Sequence, residues 1–243
     1  MATIHFILQG KGGVGKSMIA SMLFQFYHEE GYEVMGYDTD PVNQTLLSFK
    51  EFDTIKQIEI MEDDGDNIDS RKFDDLLEEL AEASETSHVI IDNGASSFIA
   101  LGSYIKDSDM LNILAENGHR VYFHTVITGG QALYDTLNGL NKLFLNFPSS
   151  NIIIWKNSYF GKIVLEGKEF DNFKLIQENP EKIYAIIDIP TGNKDLIGKD
   201  LEQLFAKKQS FHAGINGKNP IAVKSRLKKY WNEVKERIYN ANI

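Results

Sequence analysis

Short apolar runs alternate along the chain with longer stretches in which apolar residues recur at helical spacing. The short runs predict seven buried strands, at 3–9, 33–37, 55–61, 88–91, 120–126, 151–155 and 183–187. The periodic stretches predict helices at 16–30, 43–49, 70–83, 98–105, 108–116, 131–145, 195–207 and 222–239. Strands that alternate with helices form parallel sheets covered on both faces. The pattern therefore predicts an α/β fold with one doubly wound, mostly parallel sheet.

Length and composition narrow the class of protein. A chain of 243 residues with 42% hydrophobic character is long enough for one domain over 1–243 and short for two. No apolar run reaches about 18 residues, and the first strand begins too early for a signal peptide, so we expect a cytoplasmic protein. The absence of cysteine excludes disulfides, thiolate zinc sites and cysteine-held iron–sulfur clusters.

The loop between the first strand and the first helix carries the chemistry that is simplest to interpret. Gly10, Gly15, Lys16 and Ser17 fit the phosphate-loop spacing G-x-x-x-x-G-K-[ST]. Glycines let backbone N–H groups approach a phosphate, the lysine neutralises phosphate oxygens, and the serine hydroxyl can bind Mg²⁺. The alternative is a glycine-rich turn that binds nothing. The predicted nucleotide contacts are Gly10, Lys11, Gly12, Gly13, Val14, Gly15, Lys16, Ser17 and Met18.

Polar residues also follow the other predicted strands. Asp92 ends the run 89–91, as a Walker B aspartate does, and would hold Mg²⁺ beside Ser17, although a loop-capping aspartate is the alternative. In open α/β sheets, ligands bind at the carboxyl ends of the strands. The sequence therefore predicts one crevice lined by 10–17, 38–40, 92–94, Thr128, Asn157 and Pro190.

Several phrases of the sequence resemble the TraL group of conjugative-transfer proteins within the ParA/MinD family of "deviant" phosphate-loop ATPases. These phrases are 8–17, 38–43, 89–98 and 124–133, and the resemblance continues at 166–168 and 186–190. The resemblance implies a P-loop NTPase fold and a weak, partner-stimulated ATPase that dimerises with Mg-ATP. It also implies a role in plasmid conjugative transfer or plasmid maintenance.

The same resemblance assigns roles to individual residues. Lys11 matches the signature lysine that reaches the nucleotide of the partner subunit, so it joins Lys16 and Asp40 as a predicted catalytic residue. Asp38 matches the aspartate that supports the metal, beside Ser17 and Asp92, and Asp40 matches the one that positions the attacking water. A solvated loop lysine and a simple Asp-x-Asp turn are the alternatives. The family's Pro-Pro pair after the Walker B aspartate is replaced here by 93–94.

We expect the base to be adenine. Asn157 and Pro190 match the family positions that hydrogen-bond and cover the adenine ring, and an amide supplies both a donor and an acceptor. A turn role for Asn157 is the alternative. A guanine-binding N-K-x-D motif is approached only at 193–196, where Leu196 replaces the aspartate. The predicted cofactors are therefore ATP and Mg²⁺.

The charge is unevenly distributed. The chain carries a net charge of −10, yet 218–243 holds seven Lys/Arg and two Asp/Glu. The basic amphipathic helix predicted at about 222–239 could bind non-specific DNA, or a membrane surface that places the protein peripherally at the inner membrane. It could equally pack its apolar face into the core and leave its basic face solvated.

Three functions remain open from the sequence. The first is a dimerising ATPase switch that acts with conjugation or partition machinery. The second is a nucleotide-binding module without significant hydrolysis. The third is a metabolic ATP-dependent ligase on the same fold, for which the sequence shows no clear set of substrate-activating groups.

Overall fold

The computed structural model describes residues 1–65 and 67–243. Its centre is a seven-stranded sheet in which every neighbouring pair of strands is parallel. The predicted α/β fold class is confirmed. The sheet strands are β1 (Thr3–Ile7), β2 (Glu33–Asp38), β3 (Ile55–Gln57), β4 (Ser87–Asp92), β5 (Arg120–Thr128), β6 (Asn151–Asn157) and β9 (Ile183–Asp188). Their order in the sheet is β3-β2-β4-β1-β5-β6-β9. The chain segment that connects β6 to β9 contains a small, separate antiparallel hairpin of β7 (Val164–Leu165) and β8 (Lys168–Glu169).

Helices cover both faces of the sheet. The chain forms α1 (Lys16–Glu29), α2 (Phe73–Ala81), α3 (Phe98–Asp107), α4 (Met110–Glu116), α5 (Leu133–Asn146), α6 (Lys174–Gln177), α7 (Lys199–Ala206), α8 (Phe211–Asn216) and α9 (Ile221–Asn240). One apolar cluster lies between the sheet and α2 to α6, and a second lies between the sheet and α1, α7, α8 and α9. The five inner strands are mostly buried on both faces, as in other parallel sheets, whereas the edge strands β3 and β9 are more exposed.

The structure differs from the predicted elements where side chains hold the backbone. The predicted helix 43–49 is wrong, because this segment forms turns. The carboxylate of Asp38 accepts the Leu47 N–H, and that of Asp40 accepts the N–H groups of the residues two and three positions on. Such local bonds offer the backbone an alternative to a helix. The helix predicted at 70–83 begins as a 3₁₀ turn over Ser70–Lys72, and the carboxylate of Asp69 caps this turn by accepting the Arg71 N–H.

Three buried histidines form a hydrogen-bonded row on the α1 side of the sheet. The indole N–H of Trp155 donates to Nδ1 of His124 at 2.9 Å, so neutral His124 carries its proton on Nε2. His124 Nε2 lies 2.9 Å from Nδ1 of His5, and His5 Nε2 lies 3.1 Å from Nδ1 of His88. Because the tryptophan can only donate, all of these bonds run in one direction, and each ring must stay neutral to make them.

We expect acid to destabilise the fold through this row. Burial lowers the pKa of His88 to about 4 and that of His124 to about 3, and burial and the neighbouring imidazoles lower that of His5. The unfolded chain then binds protons that the folded chain excludes. This stability is therefore present above about pH 6.5 and is lost as the pH falls towards 4. In urea unfolding, His88→Gln should remove about 1 kcal/mol per pH unit of this dependence between about pH 6 and 4.5.

The matched control is His212→Gln, because His212 is an exposed histidine of α8. Comparing each variant with the wild type cancels the contributions of all other titrating groups. An unchanged pH dependence in His88→Gln, or an equal change in the His212 variant, would contradict the assignment.

Candidate functional site

The loop after β1 approaches the start of α1 through left-handed backbone. Gly13 has φ 73° and Gly15 has φ 109°, a region in which side chains are disfavoured. Val14 is buried between them and anchors the loop. The loop borders a cavity of about 640 Å³ whose lining includes Lys16 and Ser17. Backbone N–H groups at a helix start, beside glycines, form an arrangement that suits a phosphate.

The ammonium of Lys16 lies at the bottom of this loop. The residue is only 7% exposed, and its Nζ donates to the carbonyl of Lys11 at 3.2 Å. Burial lowers the pKa of Lys16, whereas the charges of Asp92 and Asp40 raise it. A buried ammonium with a single neutral acceptor is poorly solvated, and an anion in the cavity would compensate it.

Two carboxylates stand side by side at the edge of the sheet, because Asp38 ends β2 and Asp92 ends β4 in the same register. Neither carboxylate oxygen of Asp92 makes a well-aligned hydrogen bond within residues 1–65 and 67–243, although the Ser17 hydroxyl lies close enough to lower the pKa of this carboxyl group. Burial and the charge of Asp38 raise the pKa of Asp92 to about 7, against the effect of Ser17 and Lys16. A buried carboxylate without a well-aligned hydrogen bond is costly, and a cation would satisfy it.

The other two predicted acidic residues are held by backbone groups. The two oxygens of Asp38 accept the N–H groups of Asp40 and Leu47, both at 3.1 Å. Burial raises the pKa of Asp38 to about 6 in spite of these bonds. Asp40 lines the same cavity as Lys16, and its Oδ1 accepts the N–H of Val42 at 2.9 Å. The loop after β2 is therefore folded around its own carboxylates.

Lys11 turns to the other side of the loop. Its Nζ lies 2.7 Å from Oδ2 of Asp135, at the start of α5, and both side chains are about half exposed. An exposed ion pair contributes about 0–1 kcal/mol, so this contact can be exchanged for another at little cost. The two residues border a cavity of about 440 Å³ that also contacts Ser96 and Ile99.

The predicted base contacts line a third, mainly apolar cavity of about 420 Å³ beside Gly15 and Met18. The amide of Asn157 donates to the carbonyl of Val14 at 2.9 Å and accepts the N–H of Tyr159 at 3.1 Å. An amide has two donor hydrogens and two lone pairs, so one donor and one acceptor position remain. Pro190 lies in the lining of the same cavity.

The sequence does not identify the partners of these residues. No motif predicts that Asp135 faces Lys11, and Asn93 stands out only as a departure from the family pattern.

Thr128 lies at the same sheet edge, but its N–H is directed to the Thr136 hydroxyl of α5 at 3.4 Å. The next residue, Gly129, is crowded instead: a Cβ there would lie 2.3 Å from the carbonyl oxygen of Gly161. This close approach explains why the loop needs glycine.

The C-terminal helix α9 packs its apolar face against α1 and α8. Among its basic residues, Arg226 makes a bidentate contact with Asp200, and Lys235 lies 3.1 Å from Glu29. Lys228 is exposed, as is its neighbour at 229. No helix within residues 1–65 and 67–243 is long and apolar enough to cross a membrane.

The sequence of the chain matches a known protein family and named relatives. Residues 5–216 match the family described as "CobQ/CobB/MinD/ParA nucleotide binding domain". Two relatives from Escherichia coli, both named Protein TraL, are each 39% identical to the chain. One match covers 100% of both proteins, and the other covers 94% of this chain and 93% of the relative.

Solved structures share the fold. The MinC:MinD cell division protein complex of Aquifex aeolicus matches with a TM-score of 0.53 and 12% identity, over 98% of this chain and 96% of that chain. A plasmid partition protein of Borrelia burgdorferi bound to AMPPNP matches with a TM-score of 0.52 and 14% identity, over 99% of each. At these identities the likeness concerns the fold alone.

Proposed function

This chain belongs to the CobQ/CobB/MinD/ParA nucleotide-binding family, and from that premise we propose that it is a weak ATPase that works as a dimerising Mg-ATP switch. The observation that carries the proposal is the proximity of two buried charged groups, the ammonium of Lys16 at the start of α1 and the carboxylate of Asp92 at the end of β4. Separately, each group is destabilised by burial. Together they fit an anionic phosphate chain and the cation that accompanies it.

In this proposal the loop 10–17 binds the phosphates through its backbone N–H groups, and Lys16 neutralises the β- and γ-phosphate oxygens. Asp92, with the Ser17 hydroxyl and support from Asp38, would hold Mg²⁺, which neutralises phosphate charge when bound. Asp40 lines the same cavity and would orient the attacking water. Its carboxylate is already fixed by the turn that it caps, so it needs little rearrangement to do so.

We propose adenine as the base, because the apolar cavity beside the loop ends in the amide of Asn157, with one donor and one acceptor position remaining. Pro190 would cover the ring. Equal affinities for ATP and GTP in a direct binding assay would contradict this choice.

The plasmid context is proposed from the relatives. The two Escherichia coli proteins that share 39% identity with the chain are named TraL, and a structural neighbour is a plasmid partition protein. We propose that the chain acts in plasmid conjugative transfer or plasmid maintenance. A non-hydrolysing nucleotide-binding module remains the main alternative, and turnover with purified protein, DNA and lipid would separate the two.

The dimer is proposed to form across the face that holds Lys11. The lysine stands outside its own phosphate cavity, on a weak ion pair with Asp135, and Ile99 on the same face is 64% exposed. A second copy could therefore receive the Lys11 ammonium at the nucleotide bound to that copy. Ile99 would then be buried between the two copies.

We expect Lys11→Ala to bind ATP about as well as the wild type, within about threefold, but to remain monomeric with Mg²⁺ and a non-hydrolysable ATP analogue. The exposed lysine contributes little to its own subunit, whereas in a dimer it would be a buried charge beside phosphate. Light scattering after size-exclusion chromatography measures the dimer, and fluorescent ATP measures binding.

Lys174→Ala is the matched control, because Lys174 is also exposed and also holds a surface ion pair, with Glu178. This variant should dimerise normally. An ATP-dependent dimer that persists in Lys11→Ala would refute the proposed interface, and a wild type that stays monomeric under all conditions would refute the switch.

A further inference from the structure

We propose that Asn93 is a positioning residue that couples the loop after β2 to the start of α3. This inference rests on the proposed function, since it says how the state of the nucleotide site reaches the face that holds Lys11. The residue directly follows Asp92 at the end of β4 and is fully buried.

The side chain of Asn93 bridges two loops that are far apart in the sequence. Its Oδ1 accepts hydrogen bonds from the Thr39 hydroxyl at 3.0 Å and the Ser97 hydroxyl at 2.8 Å. Its Nδ2 donates to the carbonyl of Gly94 at 2.9 Å. A carbonyl can only accept, so this last bond fixes which end of the amide faces the hydroxyls. A single oxygen atom therefore joins Thr39 to Ser97.

The bridge is buried and closely packed. Thr39, Asn93 and Ser97 are each at most 1% exposed, so water cannot readily replace a lost bond. The backbone reinforces the contact, because the Thr39 N–H donates to the carbonyl of Asp92 at 3.0 Å. At Gly94, an added Cβ would lie 2.9 Å from Cγ of Asp40, so only glycine lets the two loops touch here. Movement of either loop must displace the other.

Each end of the bridge reaches a different part of the site. Thr39 directly precedes Asp40, which lines the phosphate cavity. Ser97 directly precedes α3, whose Ile99 borders the same cavity as Lys11. A shift of the loop after β2 on nucleotide binding or hydrolysis would therefore be passed through Asn93 to the surface proposed to meet a second copy.

The first test uses the nucleotide-free protein and hydrogen exchange. We expect Thr39→Val, which replaces the hydroxyl with a methyl group, to accelerate exchange in 97–105 by about fivefold or more. Ser97→Ala should do the same in 38–43. Asn93→Ala should accelerate both segments. Ser21→Ala is the control, since it removes a buried hydroxyl that accepts from Gln25 within α1, and it should leave both segments within about twofold. If each substitution affects only its own loop, the bridge is refuted.

The second test uses Mg-ATP. We expect Asn93→Ala to lower kcat about tenfold or more with KM changed less than about threefold, and to lose the ATP-dependent dimer, while Ser21→Ala changes neither. The double variant Thr39→Val/Ser97→Ala should lose no more than Asn93→Ala, because all three break one bridge. The coupling would be refuted if Asn93→Ala raised KM by as large a factor as it lowered kcat. It would also be refuted if the double variant lost clearly more activity than Asn93→Ala. If the wild type showed neither turnover nor an ATP-dependent dimer, the proposed function would be refuted instead. The hydrogen-exchange experiment does not depend on ATP, so it would still test whether Asn93 couples the two loops.

Discussion

Lys16→Ala should weaken ATP binding by about ten- to a hundredfold while leaving the protein folded. A charge-assisted hydrogen bond contributes about 1.5–3 kcal/mol, and each 1.4 kcal/mol corresponds to a factor of ten in affinity. In the free protein Lys16 is only 7% exposed, its ammonium donates to the carbonyl of Lys11, and burial lowers its pKa. Removing it therefore relieves an electrostatic cost in the free protein and takes away a strong contact in the complex.

Asp40→Ala separates binding from turnover at the same site. Its carboxylate lines the cavity with Lys16 but is proposed to act on water, so ATP affinity should stay within about threefold while turnover falls about a hundredfold. Isothermal titration calorimetry and steady-state hydrolysis measure the two quantities.

The matched control for both variants is Lys156→Ala. Lys156 is a half-buried lysine near the end of β6 that pairs with Asp188 at 3.1 Å, at the same edge of the sheet. Its loss should cost stability without changing ATP affinity. An unchanged affinity in Lys16→Ala would remove the basis of the phosphate site. Unchanged turnover in Asp40→Ala would require another residue to orient the water.

The fold class could be predicted because its signals are local. Apolar runs such as 88–91 are typical of buried strands, and glycines at 10–15 allow a loop that other residues would forbid. The rule that ligands bind at the carboxyl ends of strands places Asp38 and Asp92 at one edge, and the strand register aligns them directly. Site residues that directly follow a strand can therefore be predicted from the sequence.

Contacts between residues far apart in the chain could not be predicted from the sequence. Nothing in the sequence pairs Lys11 with Asp135, because their meeting depends on where α5 begins relative to the β1 loop. In the sequence, Asn93 is only a departure from the family pattern. The structure is needed to show that its Oδ1 lies between the hydroxyls of Thr39 and Ser97. The segment 43–49 has helical spacing, but two upstream carboxylates accept hydrogen bonds from its N–H groups. Side-chain hydrogen bonds to backbone overrode the apolar period there.

The C-terminal helix carries the second large effect. Trp231→Ala should destabilise the protein by about 3–5 kcal/mol, and a chain that ends at Pro220 should not fold. The indole is stacked on Phe211 with ring centroids 4.5 Å apart, and its N–H donates to Glu29 at 2.9 Å. The truncation would uncover the α1 face of the core, because Leu227, Tyr230, Val234 and Ile238 are buried with it.

This packing limits what α9 can offer to DNA or a membrane. Its apolar face is already used inside the fold, so a surface role would fall to exposed cations such as Lys228 and the lysine after it. The double variant Lys228→Glu/Lys229→Glu should keep its free energy of unfolding within about 0.5 kcal/mol, since surface substitutions rarely cost more. A truncated chain that folds and binds ATP would show that α9 is an accessory helix. If the truncation fails to fold and the double variant loses only DNA or vesicle binding, α9 serves the core with one face and a partner with the other.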